Sequence, residues 1–463
     1  MKKSETRAKP GLHHAELHEE HGQIVVAIGA SAGGLEAIQE FFRTMPPDSG
    51  LAFVVIQHLS PDYRSLMDEL LARYTRMRIL KAEEHMPVEA NTIYLIPPRK
   101  NLRIFHDRLL LEDQNLRKGL NLPIDIFFRS LAAEKGKHAI GIILSGTGSD
   151  GALGTRAIKE AGGMIMVQDD ASAKFDGMPR SSISTGLVDY VLPPSQMPDE
   201  LLNYLKHPFV GKDQALEMAL TQNLDALTRI MLIVREHSGI DFSYYKENTI
   251  LRRLERRVSI NRFTTLEQYV QFLSESAKEQ SILYRELLIG VTRFFRDTEA
   301  FDLLVEKVFP NIFRPDKRVV RIWSAGCSTG EEAYSLAMLC REYMDNHHFE
   351  GDVKIFATDI DRHSLEVAGQ GFYLDSMVAD IGSARLSRFF TRRESGYQIN
   401  ESVRKMVIFA THNLLRDPPF SKQDLIVCRN LFIYLKPEMQ NRILSVFYHA
   451  LNPEAYFLMG SSE

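Results

Sequence analysis

Ser31, His58 and Asp150 each close an apolar, β-branched run, and they are the residue types that a nucleophile, a base and an orienting acid require. Ser31 lies in Ile24-Val-Val-Ala-Ile-Gly-Ala-Ser31-Ala-Gly-Gly, a strand–turn–helix pattern with Gly29 and Gly33 at Gly-x-Ser-x-Gly spacing. Such a turn exposes a hydroxyl and aims the N–H groups of the helix start where an oxyanion forms. A phosphate-binding turn is the other reading of this segment. It is weakened because Ser31 stands where Gly-x-Gly-x-x-Gly needs its second glycine, and no Lys-Ser/Thr loop follows. His58 ends Ala52-Phe-Val-Val-Ile-Gln-His58, and Asp150 follows Ile142-Ile-Leu-Ser-Gly-Thr-Gly-Ser. Singly, the histidine reads as a strand-end residue and the aspartate as a helix N-cap. At the carboxyl ends of strands in one parallel sheet, the three converge on one crevice.

A second constellation lies in the other half of the chain. Arg321-Ile-Trp-Ser-Ala-Gly-Cys-Ser-Thr-Gly-Glu331 reads as strand, small-residue loop and helix, and small residues let a ligand approach the backbone. Ile355-Phe-Ala-Thr-Asp359-Ile-Asp361 then ends a strand with acids, of which one suits a ribose hydroxyl. The pattern points to a nucleoside cofactor, either a dinucleotide or S-adenosylmethionine; two acids capping the next helix are the alternative. Asn413-Leu414 and Asn430-Leu431 close two further strands, and their amides suit a purine edge or the amino-acid part of a cofactor, although asparagines there also form turns. Arg252, Arg253, Arg256 and Arg257 form two adjacent i,i+4 rows on one helix, hence one basic face.

Elements of alternating type must position these residues. Strands are expected at Ile24–Ile28, Ala52–Ile56, Thr92–Ile96, Ala139–Leu144, Gly163–Val167 and Val188–Val191, with helices such as Gly34–Thr44, Asp125–Lys135 and Gly151–Ala161 between them. A helical stretch follows, and strands resume at Val319–Ser324, Val353–Thr358, Met406–Thr411, Leu425–Cys428 and Tyr456–Met459. The expected fold class is α/β, with two doubly wound, mostly parallel-sheet domains joined by a small helical subdomain. The expected division is a disordered tail over 1–22, an α/β domain over 23–205, a linker over 206–213, a helical subdomain over 214–300 and a second α/β domain over 301–463. Because the chain stops directly after a strand, this last domain is expected to continue beyond Glu463.

Composition narrows the class. The chain has 463 residues, more than one ordinary core accommodates. A formal net charge of -4 gives no bulk argument for nucleic acid. Three cysteines make no disulfide framework and fit a reducing compartment. With no apolar run long enough to span a bilayer and no apolar signal segment, the expectation is a cytoplasmic protein.

Gly29-Ala-Ser-Ala-Gly-Gly34, Gln57-His58, Pro97-Pro98, Gly146-Thr-Gly-Ser-Asp-Gly151, Gln168-Asp-Asp and Phe175-Asp-Gly-Met-Pro-Arg180 resemble the chemotaxis receptor methylesterase family (CheB-type) over about residues 23–202. The resemblance implies Ser31, His58 and Asp150 as a catalytic triad acting on glutamate γ-methyl esters, or glutamine amides, of a receptor helix. Ala32 and Thr147 depart from the threonine and methionine common in the family, and backbone donors survive both changes. Val291-Thr-Arg-Phe-Phe-Arg-Asp297, Trp323-Ser-Ala-Gly-Cys-Ser-Thr-Gly-Glu-Glu332 and Cys428-Arg-Asn430 resemble the chemotaxis receptor glutamate methyltransferases (CheR-type) over about 241–463, with a departure at Gly290, where asparagine is common. That resemblance implies S-adenosylmethionine as cofactor, held by Thr292, Arg296, Glu331, Asp359 or Asp361, Asn413, Leu414, Asn430 and Leu431. It also implies that the arginine helix docks an acidic receptor helix, with Arg296 and Tyr434 orienting the target carboxylate. The expected partners are therefore cytoplasmic helices of chemoreceptors or similar signalling proteins. The rival function is a signalling scaffold in which one or both halves bind without catalysis, and a third keeps both chemistries on targets outside chemotaxis.

Overall fold

The structure is a computed structural model that describes residues 23–58, 67–114, 121–207, 224–288, 290, 292–394 and 396–463. The expected tail over 1–22 and all but the first two residues of the expected linker lie outside the described residues. The described residues form two compact units. The first holds the N-terminal residues through 207 together with 255–268, and the second holds 224–254 and 269–463.

The first unit is built on a seven-stranded sheet. In chain order its strands are β1 (Val25–Ala30), β2 (Ala52–Gln57), β3 (Arg78–Lys81), β5 (Thr92–Leu95), β8 (Ile140–Ile143), β9 (Met164–Gln168) and β10 (Tyr190–Leu192). Their spatial order is β10-β9-β8-β1-β2-β5-β3, and every pairing is parallel. A parallel sheet is covered on both faces, so its central strands read as unbroken apolar runs; all six residues of β1 are buried. Two apolar cores accordingly flank it, one around Phe41, Phe42 and Phe53 and one around Phe127, Phe128 and Ile143. The expected strands match to within a residue or two. The sequence reading missed edge strand β3, and also a small antiparallel sheet of β4 (Met86–Pro87), β6 (Lys100–Phe105) and β7 (Arg108–Asp113). The β6–β7 loop is His106-Asp107, both at positive φ. A two-residue turn of that kind is normally signalled by Asn-Gly or Asp-Gly, and neither is present.

The second unit carries helices Leu224–Ser238, Ala277–Leu288 and most of Glu247–Ile260 and Leu266–Glu275. Its five-stranded sheet comprises β11 (Val319–Ala325), β12 (Asp352–Asp359), β16 (Val407–Thr411), β17 (Gln423–Cys428) and β18 (Leu451–Met459). The order is β16-β12-β11-β17-β18, again parallel throughout. Trp323 on β11 is fully buried, and its indole N–H donates to Thr358 Oγ1 at 2.9 Å, which ties β11 to β12. β18 starts five residues before the expected strand; Pro453 hid the extension, and proline is tolerated on an edge strand. A three-stranded antiparallel sheet of β13 (Phe372–Leu374), β14 (Phe390–Arg393) and β15 (Gly396–Ile399) was also missed. No described helix is long and apolar enough to cross a membrane.

Candidate functional site

In the first unit the carboxyl ends of β1, β2 and β8 bring the three expected residues to one edge of the sheet. β1 and β2 pair with Ala30 opposite Gln57, so Ser31 and His58 follow directly on adjacent strands, spaced about 4.8 Å apart. The His58 N–H extends the ladder to Ala30 O at 3.2 Å. His58 Nε2 meets Asp150 Oδ2 at 2.7 Å, with the histidine side chain 36% exposed and the aspartate 2%. Among the described residues no hydrogen bond joins Ser31 Oγ to His58, and such bonds often tighten only when substrate binds. Asp150 does not cap the helix that follows it, the alternative read from sequence. Its Oδ2 accepts Ile124 N–H at 3.0 Å and its Oδ1 accepts Asp125 N–H at 2.9 Å, both from the start of helix Pro123–Lys135. Two backbone N–H donors thus hold the Asp150 carboxylate while its Oδ2 also meets the imidazole.

The serine turn is held by a residue the sequence reading missed. Ser145 is fully buried; its carbonyl accepts Ser31 N–H at 3.0 Å and its hydroxyl donates to Ala32 O at 2.9 Å. Its own N–H donates to Gln168 Oε1 at 2.8 Å. Gly33 has φ 70, and a Cβ there would stand 2.9 Å from Ser145 Oγ, so both conformation and space demand glycine. In the turn that follows β8, Gly146 N–H donates to Phe175 O at 2.9 Å and is not available to an oxyanion. Ala32 and Thr147 N–H groups have no hydrogen-bond partner among the described residues and remain the candidates at this turn.

In the second unit the expected cofactor residues gather at the carboxyl edge of β16, β12, β11 and β17. Gly326 (φ 78) opens the loop between β11 and helix Glu331–Asn346, and among the described residues a Cβ there would meet only Leu431 Cδ2 at 3.7 Å, which leaves open space above the loop. Asp359 Oδ2 accepts Ser328 N–H at 2.7 Å, and its Oδ1 accepts Asp361 N–H at 2.9 Å. Burial holds the Asp359 carboxyl above the usual carboxylate range. Asp361 does what the capping alternative foresaw: it accepts His363 N–H at 3.1 Å and Ser364 N–H at 3.3 Å as N-cap of helix Arg362–Gln370. Asn413 is also partly spent on a turn, since its Oδ1 accepts Leu415 N–H at 3.0 Å. Asn430 sits at φ 60, and Tyr434 ends the short turn Phe432–Tyr434. Glu331 is buried at the helix start and accepts Thr329 Oγ1 at 2.6 Å.

Gly290 and residues 292–297 join the same edge, because Ser328 Oγ donates to Gly290 O at 3.0 Å and Phe295 N–H to Ser335 Oγ at 3.0 Å. Arg429, which the sequence reading passed over, donates to Arg296 O at 2.7 Å and Asp297 Oδ2 at 2.6 Å. That clamp places the stretch carrying Thr292 and Arg296. Tyr245 and Tyr284 were also missed; burial first, and then nearby charge that includes Asp359, pushes both phenols up, so they stay protonated donors. The open space over Gly326, the acids and the amides fit S-adenosylmethionine, whose sulfonium and ammonium are cationic and whose ribose needs acceptors.

The four arginines do not form the open basic face read from the helix periodicity. Arg252 is exposed, but Arg253, Arg256 and Arg257 are 8%, 3% and 5% exposed. Arg256 pairs with Asp189, whose Oδ1 also takes Lys159 Nζ at 2.8 Å and whose Oδ2 accepts Ile165 N–H at 2.8 Å. The i,i+4 spacing was read correctly, but spacing alone does not say which face packs.

The chain thus holds two α/β units built on parallel sheets, one with a histidine–aspartate pair at the strand ends that also carry a turn serine, the other with a glycine loop and strand-end acids. Residues 26–201 match the CheB methylesterase family; 225–288 match the all-α domain, and 290–463 the SAM binding domain, of the CheR methyltransferases. The chain belongs to the CheR methyltransferase family through its second half, and its first half carries the match to CheB methylesterase. An uncharacterised protein of Rhodobacter capsulatus is 39% identical over 419 residues, covering 86% of this chain and 44% of its own length, so the chain spans under half of that relative. A chemotaxis protein methyltransferase of Borreliella burgdorferi is 34% identical over 248 residues, covering 52% of this chain and 88% of its own. A protein-glutamate methylesterase/protein-glutamine glutaminase of Hydrogenovibrio crunogenus is 31% identical over 186 residues, covering 39% of this chain and 49% of its own.

Proposed function

We propose that this chain is a bifunctional, cytoplasmic modifier of receptor glutamates, adding γ-methyl esters through its second half and hydrolysing them through its first. The observation that carries the reading is the 2.7 Å bond between His58 and a buried, doubly capped Asp150, set by strand register beside Ser31. In hydrolysis Ser31 Oγ attacks the ester carbonyl and passes its proton to His58. His58 returns that proton to the departing methoxide, methanol leaves, and water then cleaves the acyl-serine by the same route. The same machinery serves a glutamine amide, with ammonia leaving.

In the second half Thr292, Arg296, Glu331, Asp359, Asn413, Leu414, Asn430 and Leu431 would hold S-adenosylmethionine. That cofactor supplies an activated methyl group. A glutamate carboxylate is ionised at neutral pH and is its own nucleophile, so the protein needs only to align it and exclude water. Asp359, which keeps lone pairs after accepting two N–H groups, is the ribose acceptor; Asp361 is the helix cap. Arg296 and Tyr434 orient the target carboxylate, and Arg252 is the arginine of its helix left exposed to meet an acidic partner. The reading is tested by incubating the chain with S-adenosylmethionine and a chemoreceptor cytoplasmic domain and mapping glutamate esters by mass spectrometry. Absence of any ester, in a folded protein that binds the cofactor, overturns the transferase half.

A further inference from the structure

Two aspartates cap each other's helices behind the esterase site. Asp150 lies just before helix Ala152–Glu160, and its carboxylate takes the Ile124 and Asp125 N–H groups of helix Pro123–Lys135. Asp125 lies in the first turn of that second helix. Its Oδ1 takes Gly151 N–H at 3.0 Å and Gly154 N–H at 2.6 Å, from the helix that Asp150 precedes. Each carboxyl thus holds the backbone that carries the other, and each is 2% exposed. The first turn of a helix has N–H groups without intrahelical partners, so both clasps use donors that burial otherwise leaves unsatisfied. Asp125 Oδ2 is buried and has no hydrogen-bond partner among the described residues. Asp125 touches neither Ser31 nor His58 by any hydrogen bond among the described residues, so its reach to the chemistry is through Asp150.

We propose that Asp125 is a positioning residue of the esterase: its carboxyl fixes the Gly151–Gly154 backbone and its N–H fixes Asp150 Oδ1, so that Oδ2 is held on the His58 imidazole. The inference rests on the triad reading above. Burial, reinforced by the Asp150 charge, holds the Asp125 carboxyl well above the usual carboxylate range. Asparagine keeps a carbonyl oxygen for the Gly151 and Gly154 N–H groups and adds no charge. Alanine keeps the backbone N–H to Asp150 but removes the acceptor for Gly151 and Gly154.

The test uses the full chain, a synthetic peptide bearing a glutamate γ-methyl ester, and methanol release as readout, with thermal unfolding run on every variant. Asp125→Ala is expected to lower kcat about tenfold or more with KM within about twofold, and Asp125→Asn to restore kcat to near the parent value. Ser31→Ala runs alongside. If Ser31→Ala is inactive while Asp125→Ala keeps the parent kcat, the clasp is overturned and the triad stands. Turnover by Ser31→Ala at the parent rate overturns the triad itself, and the clasp with it. A folded Asp125→Asn that is as slow as Asp125→Ala also overturns the proposal, because the acceptor for the Gly151 and Gly154 N–H groups would then not be what supports the rate.

Discussion

At the scale of single residues, the proposed chemistry rests on side chains whose types the sequence suggests and on acceptors that only the fold brings to them. Ser31→Ala is expected to lower methanol release from a methylated receptor by several orders of magnitude. His58→Ala should cost about as much and Asp150→Asn somewhat less, because triad members act as a unit. The strand-end acids give a second separation. Asp361→Ala removes an N-cap and should cost about 0.5–2 kcal/mol of stability, read by urea titration, while leaving cofactor affinity nearly unchanged. Asp359→Asn should do the reverse, weakening S-adenosylmethionine binding in calorimetry with a small loss of stability. Equal cofactor affinity in both variants would return both acids to capping duty. Ser31, His58 and Asp150 were legible because each ends an apolar run and therefore lands on one sheet edge. Ser145 and Asp125 were not, since what marks them is a hydrogen bond to a residue over a hundred or over twenty positions away. Arg429 was hidden in the same way, its partners lying in the 296–297 turn.

At the scale of elements, strand order places the chemistry and helix starts tune it. Asp125 gives a pH prediction. Its folded value lies above its ordinary 3.8, so above that pH the unfolded chain releases a proton that the folded chain keeps. Stability contributed by this group is therefore full at acid pH and lost as pH rises toward the folded value. Asp125→Asn removes the loss, so its Tm relative to the parent should rise between pH 4 and pH 7; a constant difference would contradict the assignment. The buried Lys159–Asp189–Arg256 cluster gives another. Asp189→Ala leaves two buried cations without this carboxylate and should cost about 3–5 kcal/mol. Arg256→Met should cost less, because Lys159 still neutralises Asp189; urea titration of both variants decides. The central parallel strands were legible because burial on both faces writes unbroken apolar runs into the sequence. The small antiparallel sheets were not: β6 and β7 are half exposed and joined by a turn without the usual residues. The arginine rows show the complementary limit, since charge at i,i+4 spacing describes an exposed stripe and a buried ion-pair face equally well until the partner, here Asp189, is known.

At the scale of the whole molecule, one chain carries a methylesterase-type half and a methyltransferase-type half, and the proposed chemistries oppose each other on a glutamate carboxyl. Separate units with separate sites predict separable losses: a cofactor-site variant such as Asp359→Asn should leave ester hydrolysis intact. S-adenosylhomocysteine at about 100 times its Kd should stabilise the second unit by about 2.7 kcal/mol, seen as a rise in one thermal transition. The most direct test of the central claim follows glutamate methylation over time on a chemoreceptor cytoplasmic domain, with S-adenosylmethionine present, comparing the parent chain and Ser31→Ala by mass spectrometry. The account predicts that Ser31→Ala accumulates glutamate γ-methyl esters that then persist, and that adding parent chain with the cofactor removed strips them with release of methanol. Esters that persist equally in the presence of the parent chain, or a Ser31→Ala chain that strips them at the parent rate, would contradict it.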